Sequence, residues 1–130
     1  MIGLDTNVVV RYLTQDEPQQ SAKATALIDS LTEESPGYIS VVTLVEIFWV
    51  LRRAYRMDVA TCREMVARLV DSREIRIGQE SAVRSALEAR STGAADFADG
   101  LIAALGRSEG CSATLTFDRR AANAGVMELV

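Results

Sequence analysis

The chain opens Met1-Ile2-Gly3-Leu4-Asp5-Thr6-Asn7-Val8, an apolar run that stops at an aspartate. Met1 to Leu4 reads as a short buried strand ending at Asp5, and Thr6 or Asn7 can cap a helix over Val8 to Leu13. The same order of apolar run, aspartate and helix returns late in the chain. Ala113 to Phe117 reads as a buried strand that runs into Asp118, followed by a short helix from Arg119 to Ala124 closed by Gly125. Two strands that each end on an aspartate and feed a helix are expected of parallel α/β sheets, where ligands bind at the carboxyl ends of strands.

Beyond the first junction, Pro18 suits the first turn of a second helix to about Leu31, with Ala22, Leu27, Ile28 and Leu31 on its apolar side. Ser35-Pro36-Gly37 is a turn signal. Tyr38 to Ser40 reads as a strand, and Ser40 as the N-cap of a helix from about Val41 to Tyr55. Asp58 caps a helix to about Ser72, Arg73 to Ile77 reads as strand, and Glu80 to Arg90 is helical by pattern. Thr92-Gly93 breaks the chain, Ala95 to Ser108 is strongly helical and is ended by Gly110, and Val126 to Val130 reads as a final strand. Strands separated by helices imply an α/β fold, a central parallel sheet with helices on both faces in three layers. With 130 residues and no repeat, low-complexity tract or linker, residues 1–130 are expected to form a single domain.

Composition narrows the chemistry. Apolar residues make up 48% and charged residues 25%, the profile of a globular protein. No apolar run approaches the roughly 20 residues that span a bilayer, and the N-terminus lacks the basic region of a signal peptide. A cytoplasmic protein without a membrane partner is therefore expected. Cys62 and Cys111 have neither zinc-site nor CxxC spacing, and are expected to be plain thiols. There is no histidine, which removes the commonest general base and every Ser-His or Cys-His pair. An enzyme built from this chain works with carboxylates, hydroxyls, arginines or the lone lysine, Lys23. Carboxylates favour hard cations such as Mg²⁺ or Mn²⁺.

The carboxylates fall in telling places. Asp5 and Asp118 end strands, although each is also a plausible helix N-cap. Glu46 has Val42, Thr43, Trp49 and Val50 as its helical neighbours, so it is expected on a buried stripe, where a carboxylate needs a partner. A Thr43/Glu46 capping box or an internal ion pair to an arginine are the alternatives. Asp96 and Asp99 share a helix face, and Asp96 is also placed to favour the helix dipole. One divalent-cation site accounts for all five at once. The net charge of −4 argues against strong nonspecific nucleic-acid binding. Arginine clusters such as Arg52-Arg53 with Arg56 are ordinarily solvated helix faces. Arg11, Arg52 and Arg119 are nevertheless candidate contacts to a phosphate backbone.

Taken together, Gly3-Leu4-Asp5-Thr6-Asn7-Val8, Ile39-Ser40 through Val45-Glu46, Asp96-Phe97-Ala98-Asp99 with Leu101-Ile102-Ala103-Ala104, and Thr114-Leu115-Thr116-Phe117-Asp118 resemble the PIN-domain family, and within it the VapC-type toxins of bacterial toxin–antitoxin pairs. The resemblance implies a PIN fold with metal-binding acids at Asp5, Glu46, Asp99 and Asp118, Asp96 as a further member, and Thr6, Asn7 and Thr116 in support. It implies a Mg²⁺- or Mn²⁺-dependent endoribonuclease, a homodimer, inhibited by a cognate antitoxin that inserts a segment over the acidic pocket. Three rivals remain. A phospho-acceptor receiver-like domain would need a lysine after a late strand, whereas Lys23 is early. A non-catalytic interaction module would keep the acids only to bind metal. A DNase would share the chemistry, since nothing in these residues reads a 2′-hydroxyl.

Overall fold

The computed structural model describes residues 1–89 and 96–130. They form two compact units, Met1–Gly78 and Gln79–Val130. The fold is α/β, with seven helices among the described residues and only parallel strand pairs.

The first unit runs β1 (Ile2–Gly3), α1 (Thr6–Thr14), α2 (Pro18–Asp29), β2 (Gly37–Ile39), α3 (Val41–Arg53), α4 (Val59–Asp71) and β3 (Ile75–Ile77). Its strands pair in the order β1-β2-β3, with Gly3 opposite Tyr38 and Ile39 opposite Ile77. The ladder extends one residue past β1 through a 2.8 Å bond from Leu4 N–H to the Tyr38 carbonyl. Apolar residues at helical spacing bury one face of α3 (Leu44, Ile47, Phe48, Leu51), and Cys62, Val66 and Leu69 do the same on α4. Gly37 is required by close approach: a Cβ there would lie 2.7 Å from Leu4 Cδ1 and 2.9 Å from Leu31 Cδ1, and both leucines are buried.

The second unit runs α5 (Glu80–Glu88), α6 (Asp96–Ser108), β4 (Leu115–Thr116), α7 (Arg119–Asn123) and β5 (Glu128–Leu129). Small residues bring α5 and α6 together, Gly100 lying where a Cβ would touch Ala86 at 3.6 Å. Val83, Phe97 and Leu101 are buried in this unit, and β4 pairs with β5.

The expected caps of α3 and α4 are present. Ser40 Oγ accepts from Thr43 N–H at 3.1 Å, and Asp58 from Thr61 N–H at 2.7 Å. That backbone N–H holds the Asp58 carboxyl below its ordinary pKa. Several expectations are corrected. The N-cap of α1 is Asp5, not Thr6 or Asn7, because the helix begins at Thr6. The buried face of α2 holds Ser21, Ala24 and Ile28, while Ala22 is exposed. A serine in the stripe disguised its phase. The Ala113–Phe117 strand shortens to two residues and is not buried: Leu115 is 63% and Phe117 83% exposed. The final strand is likewise only Glu128–Leu129. The C-terminal end of the Glu80–Arg90 helix, the Thr92-Gly93 break and the Ala95 helix start lie outside the described residues. Both cysteines are free thiols, and burial pushes the Cys62 thiol up. No helix among the described residues is long and apolar enough to cross a membrane.

Candidate metal centre

In the first unit the candidate acids are Asp5 and Glu46. β1 ends just before Asp5, whose backbone takes the extended N-cap conformation of α1 while its carbonyl accepts from Val9 N–H at 3.3 Å. Its side chain makes no cap bond and has no other partner among the described residues. An aspartate at an N-cap ordinarily accepts from the first helical turn, so the capping explanation for Asp5 fails. Next in the chain, Thr6 is 3% exposed, and its hydroxyl has no hydrogen-bond partner among the described residues. A buried, unsatisfied hydroxyl costs about 1–3 kcal/mol, and Thr6 directly follows Asp5 in the chain. The free Asp5 carboxylate is a hard oxygen donor of the kind that suits Mg²⁺ or Mn²⁺ with its retained waters.

Glu46 requires a correction. It is exposed, not on a buried stripe. α3 buries the opposite side, so Val42 (72% exposed) and Trp49 (54%) flank Glu46 on the outer face. Apolar neighbours in sequence were misread as burial because the helix is apolar nearly all round. Ser40 provides the cap, so there is no Thr43/Glu46 box, and Glu46 has no ion pair among the described residues. On the same face the Arg53 guanidinium lies 4.0 Å from the Trp49 ring centroid, a cation–π contact the sequence reading missed.

In the second unit Asp96 is the first residue of α6 and Asp99 follows three residues on, the spacing of a shared helix face. The Asp96 side chain lies outside what is described. Asp99 is half-buried and engaged within the fold. Asp118 caps α7, its Oδ1 accepting from Arg120 N–H at 2.8 Å, and its own N–H donates to Thr116 Oγ1 at 2.9 Å. Thr116 thus steadies the backbone that carries Asp118. Among the described residues no group of three or more Asp, Glu, Cys or His side chains is assembled to hold a metal ion.

The three candidate arginines differ. Arg11 is pinned: Nε donates to Gln20 Oε1 at 2.8 Å, and Nη1 to Tyr55 Oη at 2.9 Å and to Asp16 at 3.3 Å. Bonds from Tyr55 and Thr14, with Arg11 nearby, hold the Asp16 carboxyl below its ordinary pKa. Arg52 Nη1 donates to the Met57 carbonyl at 2.6 Å, closing the turn between α3 and α4. Arg119 is exposed. Asn7, exposed in the first turn of α1, opens a cleft of about 480 Å³ between α1 and α2 that also reaches Arg11, Gln20 and Lys23. Sequence reading names Lys23 only as the lone lysine and does not single out Gln20, since only the packing of two helices brings them beside Arg11.

Set beside known proteins, residues 2–126 match the model of the PIN domain. Among curated proteins none matches the chain. Among solved structures, the crystal structure of Mycobacterium tuberculosis VapC20, a sarcin–ricin loop cleaving toxin, covers 98% of this chain and 98% of that chain at 19% identity, with a TM-score of 0.47. At that identity and score, what VapC20 cleaves is a property of VapC20 alone.

Proposed function

The chain belongs to the PIN domain family, and from that premise we propose that it is a Mg²⁺- or Mn²⁺-dependent endoribonuclease, the toxin of a toxin–antitoxin pair. The observation that carries the reading is Asp5: a carboxylate at a strand end, in an N-cap position it does not use, followed in the chain by Thr6 with its orphaned hydroxyl. The family's acidic set falls on Asp5 and Glu46 in the first unit, and on Asp99, Asp118 and Asp96 in the second. Because the matching family model runs across both units, we take residues 1–130 as one nuclease domain. RNA as substrate, a homodimer and a cognate antitoxin are part of the same proposal and rest on the resemblance to VapC-type toxins.

A bound divalent cation would supply positive charge that lowers the pKa of a water and offsets charge developing on a phosphodiester. The chain's part is to hold that charge and to manage protons. The Asp5 and Glu46 carboxylates are exposed acceptors, free to bind a cation or to take a proton from an attacking water. Thr6, next to Asp5 in the chain, carries a buried hydroxyl without a partner among the described residues, and Thr116 fixes the main chain at Asp118. With no histidine in the chain, no covalent Ser-His or Cys-His route competes.

The test is incubation of purified protein with total cellular RNA in Mg²⁺, in Mn²⁺ and in EDTA, beside Asp5→Asn. Discrete metal-dependent cuts absent from the variant are expected. A folded, metal-binding protein that never cuts would favour the non-catalytic module, and equal cutting by Asp5→Asn would remove Asp5 from the site.

A further inference from the structure

We infer that the cleft between α1 and α2 is a phosphate-binding groove for single-stranded RNA, with Lys23 and Arg11 as its cationic contacts. The inference rests on the nuclease reading of Asp5, and names where the strand leading away from that carboxylate lies.

The groove starts at Asn7, two residues beyond Asp5, and runs to Arg11, Gln20 and Lys23 over an apolar floor of Val8 and Leu27. At 1.5 Å rise per residue, Arg11 is about 9 Å along α1 from Asp5. A polynucleotide with one phosphate at Asp5 therefore meets donors on the same helix within a short step along its backbone. The Arg11 guanidinium is held by Gln20, Tyr55 and Asp16, yet Nη2 has no partner among the described residues. A planar fork already fixed in place loses little entropy when it binds a phosphate. The nearby carboxylates are occupied. Asp16 accepts from Arg11, Thr14 and Tyr55, and Glu17 accepts from the Gln20 N–H that starts α2.

Asp16 offsets the charge of Arg11, which leaves Lys23 as the unpaired cation that lines the groove. This is the only lysine in the chain; it is exposed and has no ion-pair partner among the described residues. In a protein of net charge −4, an unpaired cation beside amide donors is the local feature that complements phosphate. The apolar floor suits sugar and base faces, as in single-strand grooves elsewhere.

The experiment measures binding of a fluorescent single-stranded oligoribonucleotide by anisotropy at several salt concentrations. It uses full-length Asp5→Asn protein in EDTA, so that no cutting intervenes. Adding Lys23→Glu should weaken binding about tenfold and lower the log–log salt slope by about 0.7. Lys23→Arg should retain both. Arg73→Glu makes the same change in net charge at an exposed site away from the groove, and should stay within about twofold. Unchanged binding by Lys23→Glu, equal weakening by Arg73→Glu, or no RNA binding at low salt each overturns the groove. Tighter, Lys23-dependent binding of an acidic peptide overturns the RNA assignment in favour of a protein partner. Cutting by the wild type is read separately: cutting without Lys23 dependence removes only the groove, and Lys23-dependent binding without cutting removes only the nuclease.

Discussion

The junctions β1–Asp5–α1 and β4–Asp118–α7 have the same plan and different physics. Both pass from a parallel strand through an aspartate in extended conformation into a helix. At the first, Leu4, Val9 and Val10 are buried, so packing holds the turn and the Asp5 carboxylate is left over. At the second, Leu115 and Phe117 are exposed, and local hydrogen bonds, from Asp118 N–H to Thr116 Oγ1 and from Arg120 N–H to Asp118 Oδ1, hold the turn. A strand-end aspartate can therefore be surplus to its fold or part of it: the whole Asp5 carboxylate is free among the described residues, whereas Asp118 commits Oδ1 to its helix. The largest test of that difference is activity. Asp5→Asn should cost about 100-fold or more in RNA cleavage, while its thermal unfolding stays within about 0.5 kcal/mol of wild type. A large stability loss would show that Asp5 supports the fold after all.

Packing at the first junction gives the next effect. Gly37→Ala drives a methyl into Leu4 and Leu31 and should cost about 1–3 kcal/mol in denaturant unfolding. Phe117→Ser at the exposed second junction should stay within about 0.5 kcal/mol; an equal loss at both would erase the contrast. Smaller again is the cap itself. Asp118→Ala should cost about 1 kcal/mol, and Asp5→Ala should cost nothing comparable, since only Asp118 makes the cap bond.

The smallest effect concerns acid, and uses Asp58 as a third junction whose carboxylate is committed to its helix. Its folded-state pKa lies below the ordinary 3.8. Its contribution is therefore fully present above that value and is lost as pH falls through the lowered one. Asp58→Asn keeps an acceptor at the cap but cannot titrate, so its melting temperature should fall less steeply in acid than that of the wild type. An identical acid limb would remove Asp58 from the linkage, leaving Asp16, whose pKa is lowered too, to carry it.

Much of this was legible in the sequence, for local reasons. Ser40 and Asp58 announce their helices because a cap depends on a few consecutive residues. The two strand-end aspartates stand out because an apolar run stops at each. The parallel α/β class follows from the alternation of elements. Glu46 was misread because α3 carries apolar residues on its exposed face as well, so Val42 and Trp49 imitate a core stripe. The phase of α2 was hidden by a serine in its buried face. Ala113 to Phe117 has the composition of a core strand, yet exposure is decided by what packs against it. The cleft joining Arg11 to Lys23 depends on two helices meeting, which no spacing rule within either helix contains.

The most direct measurement is a calorimetric titration of Mn²⁺ into wild-type protein and into Asp5→Asn, with folding matched by circular dichroism. Saturable binding to the wild type, weakened about tenfold or more in the variant, is the expected result. Equal Mn²⁺ affinity in both would contradict it, because the free carboxylate of Asp5 would then have no cation to hold.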